Sequence, residues 1–270
     1  MLRAALVSAA LSFAALPAFA DARITVLMDL LKVSEVTEIL RAEGLEYVSE
    51  LDADMLQGQG GDFFAVQTDQ IYETGRIAET VRQALENGLS DADLDALIGW
   101  YSTGTGARIV DLENAARSAI SDPAVEEAAR TGFEARADAD DPHVALVRQF
   151  VEDNDLLTRN VSGAMTSNYR FFTGLADGGF YEQSEEQILA EVYAQRDEIR
   201  EDTESWLNGY LLMAYQPLSL AEFEAYVAFS ASPAGQSLNA ALFDGFETVY
   251  RDISYALGRA VALSARGNDI

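Results

Sequence analysis

Pairs of acidic residues are the groups in this chain that most resemble catalytic machinery. Glycoside hydrolysis needs two carboxylates about 5–10 Å apart, one of which is kept protonated by burial. Closely spaced acids occur at Glu126-Glu127, at Glu185-Glu186, and at Glu198 with Glu201 and Asp202. These positions fall on the polar faces of predicted helices, where solvated acids are the rule. A carboxylate-dependent hydrolase or lyase acting on envelope glycan is therefore the alternative hypothesis rather than the favoured one.

Nucleophilic and metal-dependent chemistry has less support. The chain has no cysteine, which excludes disulfides, thiolate nucleophiles, zinc-thiolate sites and iron–sulfur clusters. His143 is the single histidine, and its place directly after Pro142 predicts a surface or helix-capping role. Asp138, Asp140 and Asp141 lie close together, but the proline interrupts the spacing of a calcium loop, and its glycine and distal glutamate are missing. We therefore assign no catalytic residue, no metal ligand and no cofactor.

The net charge limits the classes of partner. Forty-five acidic and 18 basic residues give a formal net charge of -27 at pH 7, and Lys32 is the only lysine. Such a surface repels nucleic acid and anionic lipid, so we expect no nucleic-acid partner. The acids are dispersed along the chain, which favours a role in solubility. The alternative is that they attract cations or basic partners.

The first twenty residues have the pattern of a secretory signal peptide. Arg3 supplies a positive charge, Ala4–Leu16 is an uncharged apolar run of thirteen residues, and Ala18-Phe19-Ala20 is a small-x-small cleavage site. The run is too short to cross a bilayer, and no later stretch approaches transmembrane length. We predict cleavage after Ala20, export to a bacterial periplasm, and no transmembrane segment.

Two stretches share one design at a constant offset of 129 residues. The first is Leu89–Ile109 and the second is Leu218–Leu238, and they align without a gap. In each, a serine and an acidic residue three positions later predict a capping box at the start of a helix. A threonine or serine followed by glycine or proline then ends that helix and caps the next one. We name these stretches elbow 1 and elbow 2.

The residue types of the elbows indicate structural roles. A glycine in the first turn of the second helix lets the two helices approach closely, and the aromatic residue before the break covers the corner. The elbow residues are Ser90, Asp93, Trp100, Tyr101, Thr103 and Gly106 in the first copy, and Ser219, Glu222, Phe229, Ser232, Pro233 and Gly235 in the second. We interpret them as architectural. If function lies near either elbow, Tyr101 is the better candidate, because Ser230 replaces its equivalent.

The elbow pattern also resembles that of a known family. Its leucine, capping box, aromatic pair and Ser/Thr-Pro-x-Gly turn are similar to the signature of the bacterial exported domain-of-unknown-function family number twenty fifty-nine. Elbow 1 departs from this pattern at Gly104, where the family usually has proline, and elbow 2 departs at Ser230, where a second aromatic residue is usual. The resemblance implies a small all-helical, exported domain, here in two tandem copies, and it supplies no catalytic residues.

Helical periodicity predicts an all-α protein, a helical bundle of two tandem related units. Gly44 and Gly88 are expected to end helices, and one long helix is expected from Ser184 to about Tyr215 as the counterpart of Thr68–Asn87. The stretch 135–142, ARADADDP, has no large apolar residue and is expected to be a linker. The predicted organisation is a signal peptide at 1-20, a first helical repeat unit at 21-137 and a second at 138-270. Independent domains and one fused bundle both remain open.

These observations favour a non-enzymatic binding or interaction module of the cell envelope. Aromatic residues cluster at Tyr169–Phe172, Phe180-Tyr181 and Tyr210–Tyr215. Where the two units meet, such residues can line an apolar groove between helices. The expected partner is a protein or an apolar small molecule of unknown identity. An enzyme should instead show two acids that converge in a pocket, at least one of them buried.

Overall fold

The chain is helical throughout the part that the structure describes. The structure is a computed structural model, and it describes residues 16–267. No β-strand occurs in this range, which confirms the predicted all-α fold. The helices are α1 (Leu16–Leu30), α2 (Val33–Leu56), α3 (Gly61–Ile71), α4 (Thr74–Gly88), α5 (Asp91–Tyr101), α6 (Gly104–Ile120), α7 (Pro123–Ala137), α8 (Pro142–Asp153), α9 (Leu156–Asp177), α10 (Glu185–Ala194), α11 (Arg196–Tyr215), α12 (Leu220–Ser230) and α13 (Pro233–Gly267).

Many helix starts coincide with capping residues that are visible in the sequence. Asp122 accepts one backbone N–H group of the following helix and Asp141 accepts two, and each precedes a proline at the first helical position. Ser184 forms a capping box with Gln187 at the start of α10. These contacts satisfy N–H groups that have no partner within their own helix. The predicted unit boundary between residues 137 and 138 falls at the end of α7.

One predicted helix end is wrong. The sequence pattern places a helix end at Gly44, but α2 continues through it. A Cβ atom at this position would lie 2.1 Å from Cε1 of Tyr72, so the missing side chain makes room for that ring. The chain breaks earlier, at Lys32, where a left-handed φ of 51° separates α1 from α2. Gly88 does end α4, as predicted.

Two predicted helices are each divided in two. The stretch Thr68–Asn87 is interrupted at Tyr72 and Glu73, and the glutamate side chain caps α4 by accepting N–H groups of its first turn. The stretch Ser184–Tyr215 is interrupted at Gln195, which separates α10 from α11. Apolar periodicity continues across both breaks, so periodicity alone could not locate them.

Buried apolar side chains form three clusters in residues 16–267, and each combines both predicted units. One joins Ile109, Ala116 and Phe133 to residues of α8, α9, α11 and α12. A second joins α2, α3 and α4 to α9 and α13. The third joins α1, α2, α4, α5 and α6 to the first turns of α13. The packing of each unit therefore depends on the other.

The crossing of α9 and α13 brings two backbones into contact. A Cβ atom at Gly258 would lie 2.1 Å from the carbonyl oxygen of Phe171, and one at Gly174 would lie 2.3 Å from that of Tyr255. Helices approach this closely only where side chains are absent at the crossing. These two glycines therefore set the distance between α9 and α13.

The structure tests the prediction that the chain has no transmembrane segment, but not the prediction of a signal peptide. No helix in residues 16–267 is long and apolar enough to span a membrane. The predicted signal peptide lies mainly outside the described residues, since the description begins at residue 16. Cleavage after Ala20 stays a prediction.

Candidate functional site

Both elbows begin with a complete capping box. In elbow 1, Ser90 Oγ accepts the Asp93 N–H at 3.2 Å, and Asp93 Oδ2 accepts the Ser90 N–H at 3.0 Å. In elbow 2, the corresponding distances for Ser219 and Glu222 are 3.3 and 2.8 Å. The serine side-chain hydrogen bond is also the main reason why the pKa values of the Asp93 and Glu222 carboxyls are lowered. The same local chemistry therefore starts α5 and α12.

The two corners are also alike. Thr103 Oγ1 accepts the Gly106 N–H at 3.2 Å, and Ser232 Oγ accepts the Gly235 N–H at 3.2 Å. A Cβ atom at either glycine would lie 2.4 Å from a carbonyl oxygen of the preceding helix, in Trp100 or Phe229. The glycines thus permit the close approach that the sequence pattern predicts. Pro233 is the first residue of α13.

The capping boxes carry a stability prediction. We expect Ser219→Ala to lower the free energy of unfolding by about 1 kcal/mol, because the Glu222 N–H at the start of α12 loses the side-chain oxygen that accepts it. Urea denaturation would measure the change. Ser34→Ala is the control, since the hydroxyl of this exposed serine caps no helix. Equal losses in the two variants would contradict a specific contribution from the cap.

The elbows pack directly against each other through equivalent positions. The rings of Trp100 and Phe229 stack with centroids 4.4 Å apart and planes 5° apart. Arg108, just after the corner of elbow 1, donates to Glu222 in the capping box of elbow 2 at 2.9 Å. Its equivalent at the 129-residue offset, Ser237, lies near the Asp93 side chain of elbow 1 and helps to lower the pKa of that carboxyl. The contacts are reciprocal, as expected where two copies of one motif face each other. The tandem duplication itself stays a prediction.

Tyr101, the elbow residue singled out as a functional candidate, is 5% exposed. Burial raises the pKa of its hydroxyl, and the nearby Tyr226 partly opposes that shift. Tyr226 in turn belongs to a cluster around Glu113 of α6. Oε1 of Glu113 accepts the Tyr215 hydroxyl at 2.6 Å and the Tyr226 hydroxyl at 2.9 Å. Tyr210 adds a third contact by donating to the backbone carbonyl of Glu113 at 3.1 Å.

This cluster contains an acid of the kind that a hydrolase needs, but not a pair. Burial raises the pKa of the Glu113 carboxyl, and the hydrogen bonds from Tyr215 and Tyr226 partly oppose that shift. The hydrogen-bond partners of the carboxylate are phenols rather than a second acid. The arrangement fits a structural polar cluster better than a general acid with a nucleophile.

The acids proposed from the sequence lie elsewhere and do not converge. Arg130 of α7 binds Glu126 at 2.7 Å and Asp202 at 3.0 Å, which ties α7 to α11. Glu185 is exposed and accepts the Tyr169 hydroxyl at 2.7 Å. In residues 16–267 no group of three or more acidic or histidine side chains could hold a metal ion. His143 lies 3.0 Å from the carbonyl oxygen of Leu218 through Nε2, so it connects the start of α8 to the turn before α12.

The structure does contain an aromatic-lined groove between α9, α11 and α13. We name it the aromatic groove, and it has a volume of about 870 Å³. Arg117 of α6, which belongs to the predicted first unit, also lines it. Its ring-bearing residues are Trp206, Phe243, Phe246 and Tyr250. Hydroxyl and amide side chains surround them, from Thr158, Asn160, Ser162, Ser167, Thr203 and Asn239. A mostly apolar concavity with a few polar groups is the usual form of a ligand site.

Two arginines give the aromatic groove its charge pattern. Arg117 makes a bidentate pair with Glu43 at 2.8 and 2.7 Å, and its guanidinium lies 5.2 Å from the Trp206 ring centre. Arg159 differs, since its guanidinium lies 5.2 Å from the Phe243 ring centre and forms no ion pair or hydrogen bond within the described part of the chain. Two acids also line the groove: Glu247, which is exposed, and Asp202, which pairs with Arg130. Arg159 is thus a positive group that is available to a ligand.

The sequence predicts a groove but not its residues. None of the three aromatic clusters proposed from the sequence supplies a ring to the aromatic groove. Phe243, Phe246 and Tyr250 follow helical spacing on α13, where they resemble core positions. Trp206 stands four residues before Tyr210, on which it stacks at 5.0 Å. Helical spacing could have indicated that these residues share a face of their helix. It could not show that they line one groove, because the helices that form the groove are remote in sequence.

Comparison with known proteins identifies one similarity. The family described as "Uncharacterized protein conserved in bacteria (DUF2059)" matches residues 75–131. This segment runs from α4 into α7 and contains elbow 1 in a single copy. No curated protein and no solved structure matches the chain. The family assignment predicted from the elbow pattern is therefore supported for this segment, and a second copy stays a prediction.

Proposed function

We propose that this protein is a non-enzymatic binding module whose aromatic groove holds an apolar ligand bearing one anionic group. The observation that carries the proposal is the presence of Arg159 beside four aromatic side chains in one concavity. The rings offer apolar contact area, and the guanidinium offers a charge-assisted hydrogen bond to a carboxylate or phosphate. In a chain with a net charge of -27, an arginine without a carboxylate partner is the natural point for an anion to bind.

An envelope location belongs to the same proposal. It rests on the signal-peptide pattern of residues 1–20 and on the resemblance of elbow 1 to an exported bacterial family. The alternative, a hydrolase or lyase acting on envelope glycan, has weaker support. Its best acid, Glu113, is held by tyrosine hydroxyls, and the aromatic groove does not include it.

The proposal can be tested with hexadecanoate as the anionic probe and hexadecanol as its neutral analogue. The chain has two tryptophans, so a Trp100→Phe background leaves Trp206 of the aromatic groove as the reporter of binding. We expect Arg159→Gln to raise the Kd for hexadecanoate at least about tenfold, because one charged hydrogen bond contributes about 1.5–3 kcal/mol. Binding of hexadecanol should not change.

Arg251→Gln is the matched control, because Arg251 is exposed on α13 and pairs with Asp252 outside the aromatic groove. It removes the same charge and should leave both affinities unchanged. Failure of both probes to bind, or equal weakening by the two arginine variants, would overturn the proposal. Release of sugars from envelope glycan by the purified protein would favour the hydrolase instead.

A further inference from the structure

A second cavity, separate from the aromatic groove, lies between α2 and α6. It is an open cleft of about 820 Å³, and we name it the acidic cleft. The facing residues Ala42, Ala115 and Ser118 are small, so the two helices leave space between them. Four acids on its walls, in addition to Glu43, are Glu35, Glu38, Glu46 and Asp111.

The charges of the acidic cleft are only partly neutralised within the protein. Lys32 lies 2.6 Å from Asp111 and 3.6 Å from Glu35, and it closes one end of the cleft. Glu43 is held by Arg117. The side chains of Glu38 and Glu46 are exposed and form no ion pair or hydrogen bond with any residue in 16–267. They lie eight residues apart on α2, so they fall on the same face about two helical turns from each other.

Asn114 supplies an independent sign of a ligand. It lines the same cleft from α6 and is 6% exposed. Its side-chain Nδ2 is buried and has no hydrogen-bond partner among the described residues. A buried donor without a partner costs about 1–3 kcal/mol, which is why nearly all such groups in proteins are paired. A ligand that brings an acceptor, such as an amide carbonyl, would satisfy it.

We propose that the acidic cleft binds a cationic side chain together with a neighbouring amide carbonyl, as in a lysine or arginine residue. The exposed acids of α2 take the ammonium or guanidinium group, and Asn114 donates to the carbonyl. A metal ion does not fit, because the side chains here form no group able to coordinate one and a free N–H donor is not a metal ligand. The net charge of the protein attracts such cations from solution.

Calorimetric titration of three probes tests this proposal and separates two sources of the ligand. The probes are Nα-acetyl-lysine amide, an acetylated tri-lysine amide, and spermidine, which has the charge of tri-lysine but no carbonyl group. We expect the two lysine probes to bind. Tighter binding of tri-lysine would identify a segment with several basic residues as the source, and equal affinities would show that a single basic residue is sufficient. Failure of both to bind would overturn the proposal.

Variants then separate specific recognition from attraction by net charge. A double Glu38→Gln, Glu46→Gln variant should weaken all three probes at least tenfold. The control is Glu127→Gln with Glu134→Gln, which removes the same charge from exposed positions on α7. Asn114→Leu should weaken tri-lysine about tenfold and leave spermidine unchanged. Equal effects of the two double variants, or equal effects of Asn114→Leu on tri-lysine and spermidine, would contradict the proposed site.

Discussion

Gly258→Ala is expected to lower the free energy of unfolding by about 3 kcal/mol, the upper part of the range for overpacked sites. The added Cβ would lie 2.1 Å from the Phe171 carbonyl oxygen and 2.9 Å from the Leu175 nitrogen. Both contacts are with backbone, so no side chain can rotate to relieve them. The methyl group can be accommodated only if α9 and α13 move apart, which loosens the apolar cluster that they share.

Gly132→Ala provides the matched control. Gly132 lies within α7, and a Cβ atom there would meet no other atom within 4 Å. Alanine should therefore stabilise the protein by about 0.5–1 kcal/mol through its higher helix propensity. Urea denaturation followed by circular dichroism would compare the two variants. If Gly258→Ala also stabilised the protein, the close crossing of α9 and α13 would be wrong.

Glu113→Leu is expected to be about 3 kcal/mol less stable than Glu113→Gln. Glutamine keeps an oxygen that can accept both phenol hydroxyls, whereas leucine leaves them without this acceptor. Tyr215 and Tyr226 are 1% and 6% exposed, so water cannot readily replace the lost partner. Each unpaired buried hydroxyl costs about 1–3 kcal/mol.

The same position should make stability depend on pH in a defined direction. The folded-state pKa of Glu113 is raised above its ordinary value of 4.5, so the folded protein holds this proton more tightly than the unfolded chain. The stabilisation is fully present below the ordinary pKa and is lost as pH rises through the folded value. Glu113→Gln does not titrate there, so its stability relative to the natural protein should increase as pH rises from about 4.

Chemical denaturation of both variants and the natural protein between pH 4 and pH 8 would measure these differences. A stability difference between Glu113→Gln and the natural protein that stays constant with pH would show that Glu113 titrates normally. Equal stabilities of the leucine and glutamine variants would show that the two tyrosines do not depend on this acceptor.

The parts of the fold that were predictable are those set by a few neighbouring residues. Both elbows follow from capping residues and a corner glycine, and elbow 2 also has a proline; all of these act within one or two helical turns. The end of α2 was mispredicted at Gly44 for the opposite reason. This glycine accommodates the ring of Tyr72, a contact that no local pattern encodes.

The sequence predicted the kind of candidate site, an apolar groove, but not the residues that form it. Aromatic residues in two related units indicated a groove, but its residues come from α6, α9, α11 and α13. Arg159 and Asn114 have no distinguishing sequence context, because their significance lies in the partners that they lack in the fold. Glu113 likewise resembles a surface acid until Tyr215 and Tyr226, about a hundred residues later, are placed beside it.

The position of α13 has a consequence for the order in which the chain can fold. This helix is the last described element, yet it supplies buried residues to two of the apolar clusters, and its Gly245 lies against Val81 and Ala84 of α4. Contacts between segments so distant in sequence raise the contact order, which slows folding. During synthesis, the apolar faces of α1–α5 that pack against α13 stay exposed until α13 has been made. A growing chain should therefore remain incompletely folded until α13 has left the ribosome, whatever the stability of its individual helices.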